Sequence, residues 1–112
     1  TADNIHVQNG LDAFRYQRWE EAIHHWKQVA TEEAKGERLK ARGKETKATA
    51  VAAANIAIAY ELLGDYALAC DYAQRAIRLF GAWKTAYGRQ QQVNIRYYLA
   101  QLQARQARES DL

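Results

Sequence analysis

Residues 54–66 read Ala-Asn-Ile-Ala-Ile-Ala-Tyr-Glu-Leu-Leu-Gly-Asp-Tyr, and this stretch decides the fold. It closes a run from Ala48 to Leu63 that is apolar on nearly every side, the pattern of a helix buried against more than one neighbour. At 16 residues, with Asn55 and Glu61 inside it, the run is too short and too polar to span a bilayer. Gly64 stands just past the end of that helix, where the backbone must turn left-handed and glycine does so without steric cost. Asp65 follows with a carboxylate placed to accept from the first N–H groups of another helix.

Helical periodicity extends to both sides of this junction. A fourth helix follows, with Leu68, Ala69, Tyr72, Ala73, Ala76, Ile77 and Phe80 as its apolar positions and Gly81 closing it. Upstream, Trp19, Ala22, Ile23, Trp26, Val29 and Ala30 recur at i, i+3, i+4 and i+7 and predict a helix over about 19–34. Ile5, Val7, Leu11, Ala13 and Phe14 predict another over about 3–16, with Gly10 inside it to allow a neighbouring helix close. A fifth is predicted over about 85–107. It carries two apolar stripes: Val93, Tyr97, Ala100 and Ala104, against Ile95, Tyr98, Leu99 and Leu102, the second fitting the helical rule better. Residues 35–47 are charged and contain Gly36 and Gly43; they fit either helix extensions or a loop.

The chain also repeats itself. With an offset of 47 residues, Gly10 aligns with Ala57, Trp19 with Tyr66, Ala22 with Ala69, Trp26 with Ala73 and Val29 with Ala76. Small residues fall where two helices approach and aromatic residues fall where gaps between pairs need filling. These residues resemble the tetratricopeptide repeat. The second unit carries the likeness best, through Ala57, Tyr60, Gly64, Asp65, Tyr66, Ala69 and Ala76, with Gly81 where that family usually has proline. The first unit keeps Gly10, Trp19, Ala22 and Trp26 but has Ala13 and Val29 at two family positions. Against the family period of about 34 residues, the offset of 47 implies about 13 inserted residues. The resemblance implies an all-α, right-handed stack of two hairpins plus a capping helix in a single domain. Unit one covers about 3–34, the charged insertion 35–47, unit two 48–81 and the cap 85–107. Residues 54–66, the Trp-rich hairpin before them and Val93-Asn94-Ile95 also resemble the C-terminal repeat region of certain uncharacterised bacterial lipoproteins. That narrower likeness implies an extracytoplasmic fragment; without it a cytoplasmic protein is expected.

Composition agrees with one small helical domain. The 112 residues are 48% apolar and 26% charged, with six glycines, no proline and the single cysteine Cys70, which excludes an internal disulfide. Residues 1–31 and 48–80 each carry −1, while 32–47 carry +2 and 81–112 carry +3. The middle excess is interleaved with Glu32, Glu33, Glu37 and Glu45 and reads as a solvated helical surface.

No constellation for chemistry stands out. There is no glycine-rich phosphate loop, no Gly-x-Ser-x-Gly and no His-Glu-x-x-His. His24 and His25 point about 100° apart on a helix, so a zinc site is not expected, and Cys70 reads as a packed small residue. No cofactor is called for, and the chain is expected not to be an enzyme. The resemblance implies binding of a protein or peptide in a groove lined by the first helices, here Val7, Leu11 and Phe14 with Ala54, Asn55, Ile58 and Leu62. Asn55 alone cannot clamp a terminal carboxylate, because Val7 and Leu11 stand where Lys and Asn are needed. The groove is therefore expected to be apolar and to take a partner's amphipathic helix, an attached domain of the same chain or a homodimer mate. The alternative is nucleic-acid contact through Arg89, Arg96, Arg105 and Arg108 with Tyr97 and Tyr98, weakened because the spacing spreads them around the helix.

Overall fold

A computed structural model describes residues 2–36 and 44–110, with side chains placed for 5–29 and 48–110. Five helices follow one another: α1 (Ala2–Arg15), α2 (Trp19–Gly36), α3 (Lys44–Leu63), α4 (Tyr66–Gly81) and α5 (Ala86–Ser110). No strand occurs among the described residues. Each helix packs mainly on its neighbours in sequence, and α1 also touches α3. The result is an all-α stack: hairpin α1–α2, hairpin α3–α4, and α5 laid against the second hairpin. The charged stretch expected at 35–47 contributes the end of α2 and the start of α3; residues 37–43 lie outside the described residues.

The internal repeat is visible in the backbone bonds of the two turns. In the second hairpin, Gly64 takes φ +85°. Its N–H donates to the Glu61 carbonyl at 2.9 Å, and Asp65 N–H donates to the Tyr60 carbonyl at 2.9 Å. In the first hairpin Gln17 takes φ 62°. Its N–H donates to Phe14 at 3.0 Å, and Arg18 N–H donates to Ala13 at 2.9 Å. Every donor and acceptor of one turn maps onto the other with the same offset of 47. The caps differ. Asp65 Oδ1 accepts from Leu68 N–H at 3.1 Å. At the equivalent place Arg18 instead reaches forward to Glu21 at 3.3 Å.

The two hairpins divide their core volume differently. A Cβ on Gly10 would lie inside the indole of Trp26, so the missing side chain is what admits that ring. Trp26 is 1% exposed, and its Nε1 donates to the Val7 carbonyl at 3.4 Å. Phe14 sits against both tryptophans, its ring centroid 4.8 Å from Trp19 and 5.8 Å from Trp26. In the second hairpin the aligned pair is Ala57 and Ala73, both fully buried, and the bulk comes from Phe80 and, at the core's edge, Tyr60 and Tyr66.

α3 is buried on two sides, as its composition predicted. Ala52, Ile56 and Ala59 join the core of α1 and α2, while Ala50, Ala53 and Ala57 join that of α4 and α5. On α5 the stripe that goes inward contains Ile95, Tyr98, Leu99 and Leu102. Gln92, from the three-glutamine run, reaches over Gly81 and donates to the Ile77 carbonyl at 2.9 Å.

Removing the Trp26 indole is expected to cost about 3–5 kcal/mol in a denaturant titration. Gly10→Ala is expected to cost about 1–2 kcal/mol, because overpacking outweighs the gain in helix propensity. With Trp26→Ala present the alanine at 10 no longer meets the ring, so the double variant should lose less than the sum. Simple additivity would show that the two residues are not in contact.

Candidate protein-binding surface

The residues expected to line a groove separate into two groups. Leu11 (41% exposed), Ile58 (37%) and Leu62 (49%) present aliphatic side chains to solvent from α1 and α3. Leu11 and Ile58 occupy equivalent repeat positions, 47 residues apart. Val7 and Phe14 are half-buried and packed against the α1–α2 core, so they support the surface from beneath. Ala54, packed against the core of the second hairpin, and Asn55 are half-buried on α3.

α5 is tied to α3 beside this face by a polar cluster that the sequence did not announce. Tyr98 Oη donates to Glu61 Oε1 at 2.7 Å, and Arg105 Nη1 donates to Glu61 Oε2 at 2.8 Å. The Arg105 guanidinium also lies 5.3 Å from the centre of the Tyr66 ring. Each Glu61 oxygen is thus taken by a different residue of α5. Burial, followed by the hydrogen bond to the neighbouring carboxylate, pushes the Tyr98 phenol far above its ordinary range.

Concavities also open elsewhere among the described residues, one of about 450 Å³ between the Gly64 turn and the end of α5, and two more against α2. The larger of these two, of about 540 Å³, is lined by Glu20, Ile23, His24, Lys27, Tyr60, Leu63 and Asp65. Three of its polar groups are engaged in the fold: Lys27 Nζ donates to Tyr60 Oη at 3.0 Å, a bond that raises the lysine pKa, and Asp65 caps α4. The second, of about 220 Å³, lies between α2 and α4 with Ala52, Ala53 and Ile56 of α3 as its floor. Tyr72 forms one wall, with the Arg75 guanidinium 4.5 Å from its ring centre.

Neither concavity assembles a nucleophile with a base. Cys70 is buried with Sγ 3.7 Å from Gln106 Oε1, and burial, then the charge of Asp71, raises its pKa. A thiol held protonated in this way is a poor nucleophile. His25 lies 3.8 Å from Glu21, an i,i+4 contact along α2. Among the described residues no three His, Cys, Asp or Glu come close enough to share a metal ion. Nor is any described helix long and apolar enough to cross a membrane.

Residues 8–104 match one family model, which takes in both hairpins and most of α5. The chain belongs to the family described as a domain of unknown function (DUF6340). No curated protein and no solved structure matches it. The DUF6340 match stops within α5, so the Glu61–Tyr98 contact falls inside it and Arg105 just beyond.

Because the folded chain holds the Tyr98 proton more tightly than the unfolded chain, ionisation favours unfolding. Stability from this residue should be complete below about pH 10 and be lost as pH rises above that value. A spectrophotometric titration is expected to show one tyrosine ionising only as the helices melt. Tyr98→Phe should remove that late phase and cost about 1 kcal/mol at neutral pH. An unchanged late phase in this variant would assign it to another tyrosine.

Proposed function

We propose that this chain is a non-enzymatic helical-repeat module, of the tetratricopeptide kind its residues resemble, that binds protein through the solvent-facing side of α1 and α3. The observation carrying this reading is that the repeat places Leu11 and Ile58 equivalently on the two first helices and leaves both exposed, with Leu62 one turn further along α3. Exposed aliphatic positions repeated on successive first helices suit side chains of a partner helix. The polar groups beside them, Glu61 and Arg105, are already paired within the fold, so recognition here rests on shape and apolar area.

The nucleic-acid alternative draws less support. Tyr98 and Arg105, two of the six residues it invoked, are occupied by Glu61. A gel shift that disappears with salt would favour that alternative.

Site-specific photo-crosslinking in cells tests the proposal. A benzophenone side chain at position 58 or 62 is expected to give the same discrete protein adduct, and one at Asp71, exposed on α4, is expected to give none. Adducts equally strong at 71, or none at 58 and 62, would overturn it.

A further inference from the structure

The outer side of α5 carries an apolar seam that no other described helix covers. Val93 (58% exposed), Tyr97 (72%), Ala100 and Ala104 lie on one line at alternating spacings of four and three; Ala107 continues it, while the exposed Gln90 interrupts it before Ala86. At about 100° per residue this line falls roughly 180° from Ile95 and Leu102, which face the core. α3 is the comparison within the same molecule. It packs one side on the preceding hairpin and a second side on its own partner, α4. α5 packs one side on the second hairpin, and no other described helix covers its far side.

We infer that this seam seats α5 of a second copy of the chain, antiparallel about a two-fold axis. The sequence of the seam is self-complementary under that symmetry. Its large residues, Val93 and Tyr97, fill one half, and its small ones, Ala100 and Ala104, fill the other. An antiparallel pairing centred between residues 98 and 99 sets Val93 against Ala104 of the other copy and Tyr97 against Ala100 of the other copy. Large meets small at every step, the rule that Gly10 and Trp26 follow inside the molecule. A two-fold contact demands this self-matching, because each copy offers the same patch. The flanks also agree: Arg96 falls beside Gln103 of the other copy and Asn94 beside Gln101, so like charges do not meet along the seam. Six turns of helix in contact bury on the order of 1,000 Å² in total, the low end of specific interfaces, so the dimer is weak and its population depends on concentration.

Sedimentation of the whole chain over about 5–500 µM is expected to show the mass rising from one chain towards two. Val93→Glu and Tyr97→Glu should stay monomeric throughout, with helicity and melting unchanged because both sites are exposed. Leu11→Asp with Ile58→Asp should still dimerise, which separates this contact from the proposed partner-binding face. In a Cys70→Ser background, mixing Tyr97→Cys with Ala100→Cys chains should give a disulfide between unlike copies faster than either variant gives alone. A wild-type chain that stays monomeric, a dimer that survives Val93→Glu, or crosslinking no faster in the mixture would each overturn the inference.

Discussion

The indole of Trp26 occupies the volume that any side chain at residue 10 would fill, and the first hairpin is organised around that exclusion. Removing one Cβ lets α1 and α2 approach until the ring is shut from water. The Val7 carbonyl then satisfies the indole N–H, which would otherwise be buried without a partner. Phe14 packs on the same ring and Trp19 packs on Phe14, so three aromatic side chains hold two helices together. Ile56 and the alanines of α3 pack against this aromatic block. The position of the second hairpin therefore depends on a side chain that the first one lacks at residue 10.

α3 transmits that dependence along the stack. Its two faces belong to different cores, one shared with α1 and α2 and one with α4 and α5, and small residues on both bring the flanking helices close. No side chain has to reach from one end of the molecule to the other. Stability is then close to a sum of neighbouring interfaces, as in longer repeat arrays. The Glu61 cluster is a polar exception, joining α3 directly to α5 through Tyr98 and Arg105. Because both carboxylate oxygens are used, the cluster fixes the rotation of α5 and with it which of its stripes faces inward.

The two turns differ in how plainly the sequence announces them. Gly64 and Asp65 were legible because a left-handed residue and an N-cap each have a favoured residue type, and the backbone uses them as expected. The matching turn in the first hairpin uses Gln17 in the left-handed region, and glutamine carries no such signal. On α5 two apolar stripes competed, and the one that fits the helical rule better, with Ile95 and Leu102, is the one that goes inside. Among the surface residues, Leu11, Ile58 and Leu62 stand exposed, but Phe14 is drawn into the aromatic block, a pull that helical spacing does not reveal. Glu61 and Gln92 read as ordinary polar positions, since their partners lie 37 or more residues and 15 residues away in the chain.

The two ends of the stack are built differently, which bears on what each can do. Shifted by 47 residues, Ile56 and Ala59, through which α3 receives the preceding hairpin, correspond to Asn9 and Asp12 of α1. At these two places the outer side of α1 has polar residues, although Ile5, which corresponds to Ala52, stays apolar and is 59% exposed. Asp12 is further occupied there by Gln8 at 3.2 Å and Arg15 at 4.0 Å. The outer side of α5 stays apolar at Val93, Tyr97, Ala100 and Ala104. Left bare, that side exposes apolar area without return; covered by its own symmetry mate, it completes for α5 the two-sided burial that α3 already has.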